Sequence, residues 1–490
     1  MNMIVLLIVA VLLPCFMATA QEGYTVTYGG ESRDMEPAML RNGKYLGKYE
    51  GKLCWAIGSY GQRKRVVMLD SNMTLTSSLE LPESSESCEL VTATYDDGKA
   101  YLMYVDSNYD KMTLLFASTV DLATMTPAEG TMPMRLTDSL SYGRKDHCYV
   151  WGATSPDGKT AAVIYIVEYT ERMQYSARAI LFDNHLQEQW VKDYALGSME
   201  NLCVTNDGTM VTLGYEDDGD ETHFIFNILS RDRAESFDAV VQCNHVRQLK
   251  LAGIVGNKAM AVGTFSPAEG RWSDQLCEGV LTMAFDIESA SLTGFNMRTF
   301  QNEELNILLN MKTKKVQRYQ DIDLVSISGY TTTNYGAVVA VGRNWHLNRT
   351  EDNGTTSLSY HRMGLHIVAT DTNGHITWMR NLRRNDVQAK DDYLLGLDMT
   401  SRDGVTYIMR SEHRRTPQIY DIGREAKQLM MGEKTMMALY TIDADGEVQK
   451  NVLEARTPFS LLRTIPQSDG TLMTIGAAGH RTRIGVVSER

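Results

Sequence analysis

Beyond residue 20 the chain has no run of 18 apolar residues, so nothing there is long and apolar enough to cross a bilayer as a helix. An excess of basic charge is also missing. Lys and Arg number 48 against 61 Asp and Glu, a net charge of −13, which argues against a scaffold that holds nucleic acid by neutralising phosphates, a local basic cleft aside. None of the seven cysteines forms a C-x-x-C pair, which argues against a zinc ribbon or a thioredoxin-like redox centre. Equally absent are the Gly-x4-Gly-Lys-Ser/Thr phosphate loop, His-Glu-x-x-His, Gly-x-Ser-x-Gly and the dinucleotide fingerprint, so no cofactor is expected. Long helical periodicity is nearly absent too. What remains, 43% hydrophobic and 22% charged, is an ordinary folded composition that excludes collagen, coiled coil and wholesale disorder.

The N-terminus carries an address. Ile4 to Leu13 is an uninterrupted apolar run of signal-peptide length, and Ala18-Thr19-Ala20 supplies the small-x-small pattern for cleavage before Gln21. The expected division is a signal peptide over residues 1–20 and one domain over 21–490, in the periplasm or outside the cell. A rival reading makes Cys15 a lipid anchor, because Leu12-Leu13-Pro14-Cys15 loosely matches a bacterial lipobox. Six cysteines then remain, Cys54, Cys88, Cys148, Cys203, Cys243 and Cys277, and sequence cannot choose among their possible pairings. The favoured reading makes them small buried residues, since Cys54 and Cys203 sit inside apolar strand patterns.

Short apolar segments rich in β-branched and aromatic residues recur down the chain, separated by Gly-containing turns. Eight of these turns precede a strongly apolar strand: Glu50-Gly51, Asp97-Gly98, Asp157-Gly158, Asp207-Gly208, Gly256-Asn257, Asn334-Tyr335-Gly336, Asp403-Gly404 and Asp469-Gly470. Tight hairpins need positive φ, which Gly adopts freely and Asn or Asp tolerates. The strands that follow, such as Ala161 to Ile166 and Ala337 to Val341, are unbroken apolar runs and so are expected to be buried on both faces. A second turn, an apolar residue followed by Asp, recurs at Asp70, Asp121, Asp183, Asp286, Asp371 and Asp443, more weakly at Asp232. The Asp carboxylate is suited to cap the backbone N–H groups that follow it. Two hairpins per unit give four strands per unit, the requirement of a propeller blade. The expected fold is therefore an all-β, single β-propeller of eight blades, with seven as the alternative. Its last blade would be completed by Tyr24 to Tyr28, closing the ring between the chain ends.

One segment departs from the pattern. The spacing of Leu305, Leu308 and Leu309 predicts an amphipathic helix over 302–318, packed on the side of the ring. The surrounding stretch from Phe300 to Tyr393 contains this Glu-Glu-Leu helix, an apolar strand ending at Gly342, the turn Asn373-Gly374-His375-Ile376-Thr377-Trp378, then Gln388 and Asp391-Asp392. It resembles uncharacterised secreted propeller-like proteins of the Bacteroidota. That resemblance implies a location in or beyond a Gram-negative envelope and no particular chemistry.

In a propeller, the loops between second and third strands share a face with the links between blades. Along the sequence that face offers Tyr169 with Arg172, Asp217 with Asp218, Trp272, Trp345 with His346, and His413 with Arg414 as candidate ligand-binding residues. Trp, Tyr and Arg supply large contact areas with a polar handle. Trp345 and His346 offer a stacking platform and an acid/base group only as the lesser reading, because a His with no identified carboxylate partner reads first as a surface or satisfied residue. Ser155-Pro156-Asp157-Gly158 invites comparison with the sialidase Asp-box, but its adjacent Asp and Gly read as an ordinary hairpin. The acidic run Glu216 to Glu221 lacks the EF-hand order and reads as a solvated loop, with no metal expected. Two functions follow as expectations: a non-catalytic module that binds a glycan or protein through this face, or a polysaccharide hydrolase or lyase using carboxylates from separate blades, such as Glu168, Asp217 and Glu412.

Overall fold

A computed structural model describes residues 23–58, 63–81, 88–109, 112–128, 150–169, 175–196, 199, 201–218, 221–242, 245–266, 277–310, 325–350, 356–389, 397–413, 415, 429–430 and 435–489. They form eight sheets, each built on four antiparallel strands, which follow sequence order in all but one; one sheet gains a fifth, parallel strand. From blade 1 to blade 8 the innermost strands are Lys44–Tyr49, Cys88–Asp96, Val150–Thr154, Asn201–Val204, Val246–Val255, Val325–Thr333, Leu397–Arg402 and Ser460–Pro466. The fourth strand of blade 8 comes from the other end of the chain. Tyr24–Ser32 pairs antiparallel with Arg481–Glu489, Val26 opposite Val487. The molecule is an eight-bladed β-propeller closed by its terminal strands, and the seven-bladed alternative falls.

The eight glycine turns join first to second strands, as the spacing implied, but they are of more than one kind. Glu50, Asp97 and Asp403 take positive φ together with the glycines that follow them, the two-residue I′ geometry. At Asp157-Gly158, Asp207-Gly208 and Asp469-Gly470 the turn is longer. There the glycine N–H donates to the carbonyl three residues back, and the Asp carboxylate accepts the N–H two residues ahead. The outer turns carry the expected Asp caps. Asp70 accepts from the N–H groups of Asn72 and Thr74, Asp371 from those of Asn373 and His375, and Asp443 from those of Asp445 and Glu447. In blade 4 the weak copy at Asp232 is replaced in this role by Ser230, whose hydroxyl accepts from Arg233 N–H.

Eight apolar clusters occupy the eight seams between neighbouring blades, which explains why the second strands read as unbroken hydrophobic runs. Side chains alternate across a strand, and each side meets a different neighbour. Ala161, Val163 and Tyr165 pack toward blade 2 with Met103 and Leu115, whereas Ala162 and Ile164 pack toward blade 4 with Met210 and Leu229. In the same way Ala337, Val339 and Val341 face blade 5, and Val338 and Ala340 face blade 7. Each valine, isoleucine, leucine or methionine so buried, at about 1.5–3 kcal/mol, stabilises one joint of the ring. Cys54, Cys203 and Cys277 are free thiols in these layers, and burial pushes the Cys277 thiol up to about 12. Cys88 is buried, while Cys148 and Cys243 lie outside the described residues.

The helix expected over 302–318 is observed over Asn302–Leu308. A capping box starts it, with Glu304 accepting from the N–H of Gln301, and Asn310 in the left-handed region ends it. Residues 311–318 lie outside the described set. Leu305 and Leu308 fill the seam between blades 5 and 6, so the helix packs on the ring's flank. A second helix, Pro37–Asn42, was not foreshadowed by any apolar period. It occupies the link from blade 8 to blade 1 and buries Leu40.

Candidate functional site: the face bearing a projecting hairpin

In each blade the turn after the second strand and the link leaving the fourth lie at the same end of the sheet, because the strands alternate in direction. Blade 6 is extended at that end. Its second and third strands, Gly336–Thr350 and Thr356–Thr370, have 15 residues each, whereas those of the other blades range from 5 in Arg65–Leu69 to 11 in Lys99–Tyr109. The inner strand pairs with the second only as far as Arg343. From Asn344 onward the hairpin runs past it, a projection of roughly 20 Å for some seven residues at 3.3 Å each. Leu429–Met430, from the loop between second and third strands of blade 7, adds a short parallel strand along Asp386–Val387 and covers part of the outer edge.

Alternation sorts the hairpin's side chains into two faces. One face carries Arg343, Trp345 and Leu347, across from Met363, His361 and Ser359. Trp345 and His361 stack with centroids 4.8 Å apart and planes 13° apart, and the Arg343 guanidinium carbon lies 4.7 Å from the Trp345 ring centre. Ser359 Oγ and His361 Nε2 share a hydrogen bond of 3.0 Å. Burial, with the neighbouring Arg362 charge, pushes the His361 pKa down, so its ring is neutral near pH 7. The stack leaves the tip apolar and wet at once, since Leu347 beside it is 50% exposed. The opposite face carries Asn344 and His346 across from Arg362 and Tyr360, with the His346 and Tyr360 rings 6.1 Å apart.

This geometry corrects one expectation. Trp345 and His346 are consecutive strand residues, so they point to opposite faces and cannot serve one ligand as platform and acid/base group. The ring that accompanies Trp345 is His361. It comes from the far strand of the hairpin, and the signal that pointed to it was the matched alternation on the two sides of the tip.

The other expected residues are distributed as follows. Asp217 and Asp218 end the second strand of blade 4, and Tyr169 ends that of blade 3, so their backbones reach the same face of the ring; their side chains, and Arg172, Trp272 and Arg414 entirely, lie outside the described residues. His413 ends the second strand of blade 7, where its Nδ1 accepts from Arg415 N–H at 3.0 Å. Glu412, offered as an acid or base, is buried instead. Its carboxylate takes a 2.6 Å ion pair from Arg410, an ion pair from Lys450 and a 2.7 Å hydrogen bond from Tyr440. Burial alone would raise its pKa, but the two cations outweigh burial and hold the carboxyl below its usual range. A carboxylate so locked neither gives nor takes a proton near neutral pH, and it removes one of the three carboxylates on which the enzyme reading was built.

No family model matches this chain, and no curated protein matches it. Solved structures do. The WD40 domain of Neurospora crassa Pan2 covers 94% of this chain and 95% of its own, at 8% identity and a TM-score of 0.36. The polysaccharide lyase Uly1 covers 81% and 89%, at 10% identity and 0.35. The propeller domain of the Trilobed protease from Pyrococcus furiosus covers 70% and 94%, at 10% identity and 0.25. At such values the likeness carries no functional weight.

Proposed function

We propose that the protein is a secreted or periplasmic binding module, non-catalytic, that takes a glycan or protein ligand on the face from which the blade 6 hairpin projects. The signal-like segment over residues 1–20 supports the location. The observation that carries the binding role is the Trp345–His361 stack with Arg343 beside it, where the hairpin runs past the end of the blade 6 inner strand. A half-buried aromatic pair with a guanidinium alongside offers apolar contact area and hydrogen-bond donors in one small patch, the combination that dominates binding energy at recognition surfaces. Both rings are held by the strands beneath them, so little ordering cost falls on association.

Glycan-array binding of the mature chain, run beside Trp345→Ala, tests this reading. Loss of about 2 kcal/mol or more of affinity in the variant supports the platform. If the array is blank, a photo-crosslinker placed at Leu347 and exposed to envelope extract tests the protein arm, with Trp345→Ala as control. Blank results in both arms, or signals that the variant leaves unchanged, would remove the hairpin from the function.

A further inference from the structure

A second cluster lines the axis along the inner strands, from Lys44 at the start of one to Thr154 at the end of another. Lys44 is the first residue of the blade 1 inner strand, and its Nζ reaches past blade 2 to donate to Thr154 Oγ1 of blade 3 at 3.2 Å. That hydroxyl is in turn 2.8 Å from Thr92 Oγ1 of blade 2. Arg463 enters from blade 8, donating to the Gly43 carbonyl, with its guanidinium carbon 5.5 Å from the Trp55 ring centre. Arg41, from the linking helix, donates to the Leu462 carbonyl at 2.7 Å. Blade 7 contributes one carboxylate, Asp398, which accepts from Thr464 N–H. Two of these residues sit at β-bulges, Thr92 after the irregularity at Leu90 and Arg463 after that at Leu461. Bulges re-aim side chains and are frequent beside functional sites.

The charges do not balance. Three cations face one carboxylate, and none of the four makes an ion pair within 4 Å among the described residues. Burial pushes the Lys44 amine down to about 8, aided by the Arg463 charge, and burial likewise pushes the Asp398 carboxyl up. Uncompensated positive charge away from bulk water is costly unless an anion shares the site. The Arg463 charge acts on Lys44 and, with that of Arg41, on Asp398, so cationic donors from blades 1 and 8 and the linking helix line one stretch of the axis for an acceptor. We propose that the axial channel of the propeller binds an oxyanion, a carboxylate, sulfate or phosphate group, at Arg463, with Lys44 and Arg41 on either side of it. The site is separate from the hairpin and stands whether or not Trp345 binds a ligand.

The test uses the mature chain with sulfate, inorganic phosphate or glucuronate, each against chloride at equal ionic strength. Acylation of Lys44 is followed by peptide mass spectrometry, and the thermal midpoint is read in parallel. At least one of the three anions is expected to slow Lys44 modification about tenfold near saturation and to raise the midpoint, and the arms distinguish which oxyanion chemistry is taken. Lys44→Gln should abolish the midpoint shift, while Trp345→Ala should leave both effects intact. The proposal is overturned if no anion protects Lys44, or if Lys44→Gln keeps the full shift. Should that variant fail to fold, protection of Lys44 in the unaltered chain decides alone.

Discussion

Gly364 stands where a Cβ would come within 2.4 Å of the Leu308 Cα, and its φ of +54° is one that side chains disfavour. The third strand of blade 6 thus bends to admit the helix Asn302–Leu308, with Leu365 resuming the pairing after the irregularity. Gly364→Ala should cost about 2–4 kcal/mol, combining backbone strain with a contact that neither backbone can yield. Urea denaturation of the variant measures it. An unchanged midpoint would mean that the helix is not docked on this strand.

Beside that helix, His366 is fully buried, its Nε2 within 2.9 Å of the Glu304 carbonyl and its Nδ1 against the Asn381 side chain. Burial pushes its pKa down from 6.5 to about 4, against the pull of those two hydrogen bonds. A lowered histidine pKa means that the unfolded chain takes up the proton first. The contribution is complete above pH 6.5 and is lost as pH falls toward 4, amounting to about 3 kcal/mol over that window. Stability curves of the wild type and His366→Gln, measured from neutral pH down to acid, should differ in slope there. Parallel curves would show that the ring does not stay neutral.

Glu412 gives a different acid test. Its carboxyl, held low by Arg410 and Lys450, contributes stability above the unfolded carboxylate pKa and loses it as pH falls through the folded value. Glu412→Gln leaves two buried cations short of an anion and should cost about 3–5 kcal/mol. Ligand binding by the surviving folded fraction should be unaltered, because the carboxylate faces its own blade. A stable Glu412→Gln protein would contradict the buried network.

Thr25 lies opposite Ser488, with the two hydroxyl oxygens 3.5 Å apart. Thr25→Cys with Ser488→Cys should therefore form a disulfide on oxidation, visible as a shift on a non-reducing gel. It should raise stability by on the order of 2–5 kcal/mol, because the bond joins nearly the whole chain into one loop. Failure to oxidise would deny the register at the seam.

The repeat was legible because its signals are local. Glycine turns and Asp caps obey backbone geometry within a few residues, and the unbroken apolar runs record two seams per strand. The helix Pro37–Asn42 was not legible, being six residues long with no room for a period to show. Nor was the fate of Glu412, since Lys450 and Tyr440 reach it from strands that follow later in the chain. The surroundings of Trp345 were half legible: its place on the extended hairpin could be read from the strand pattern, but the ring stacked on it, His361, lies across the hairpin and not next to it in sequence. Arg41, Lys44, Asp398 and Arg463 converge only because a ring brings first and last blades together, and no linear spacing encodes that.

The closing strand also fixes an order of events during synthesis. Tyr24–Ser32 leaves the ribosome well before its partner Arg481–Glu489, with Thr25 and the facing Ser488 463 residues apart in the chain. At ordinary elongation rates the interval is on the order of 20–90 s. Through that time the strand's backbone groups lack their native partner, so the circle cannot be joined before the far strand has been made.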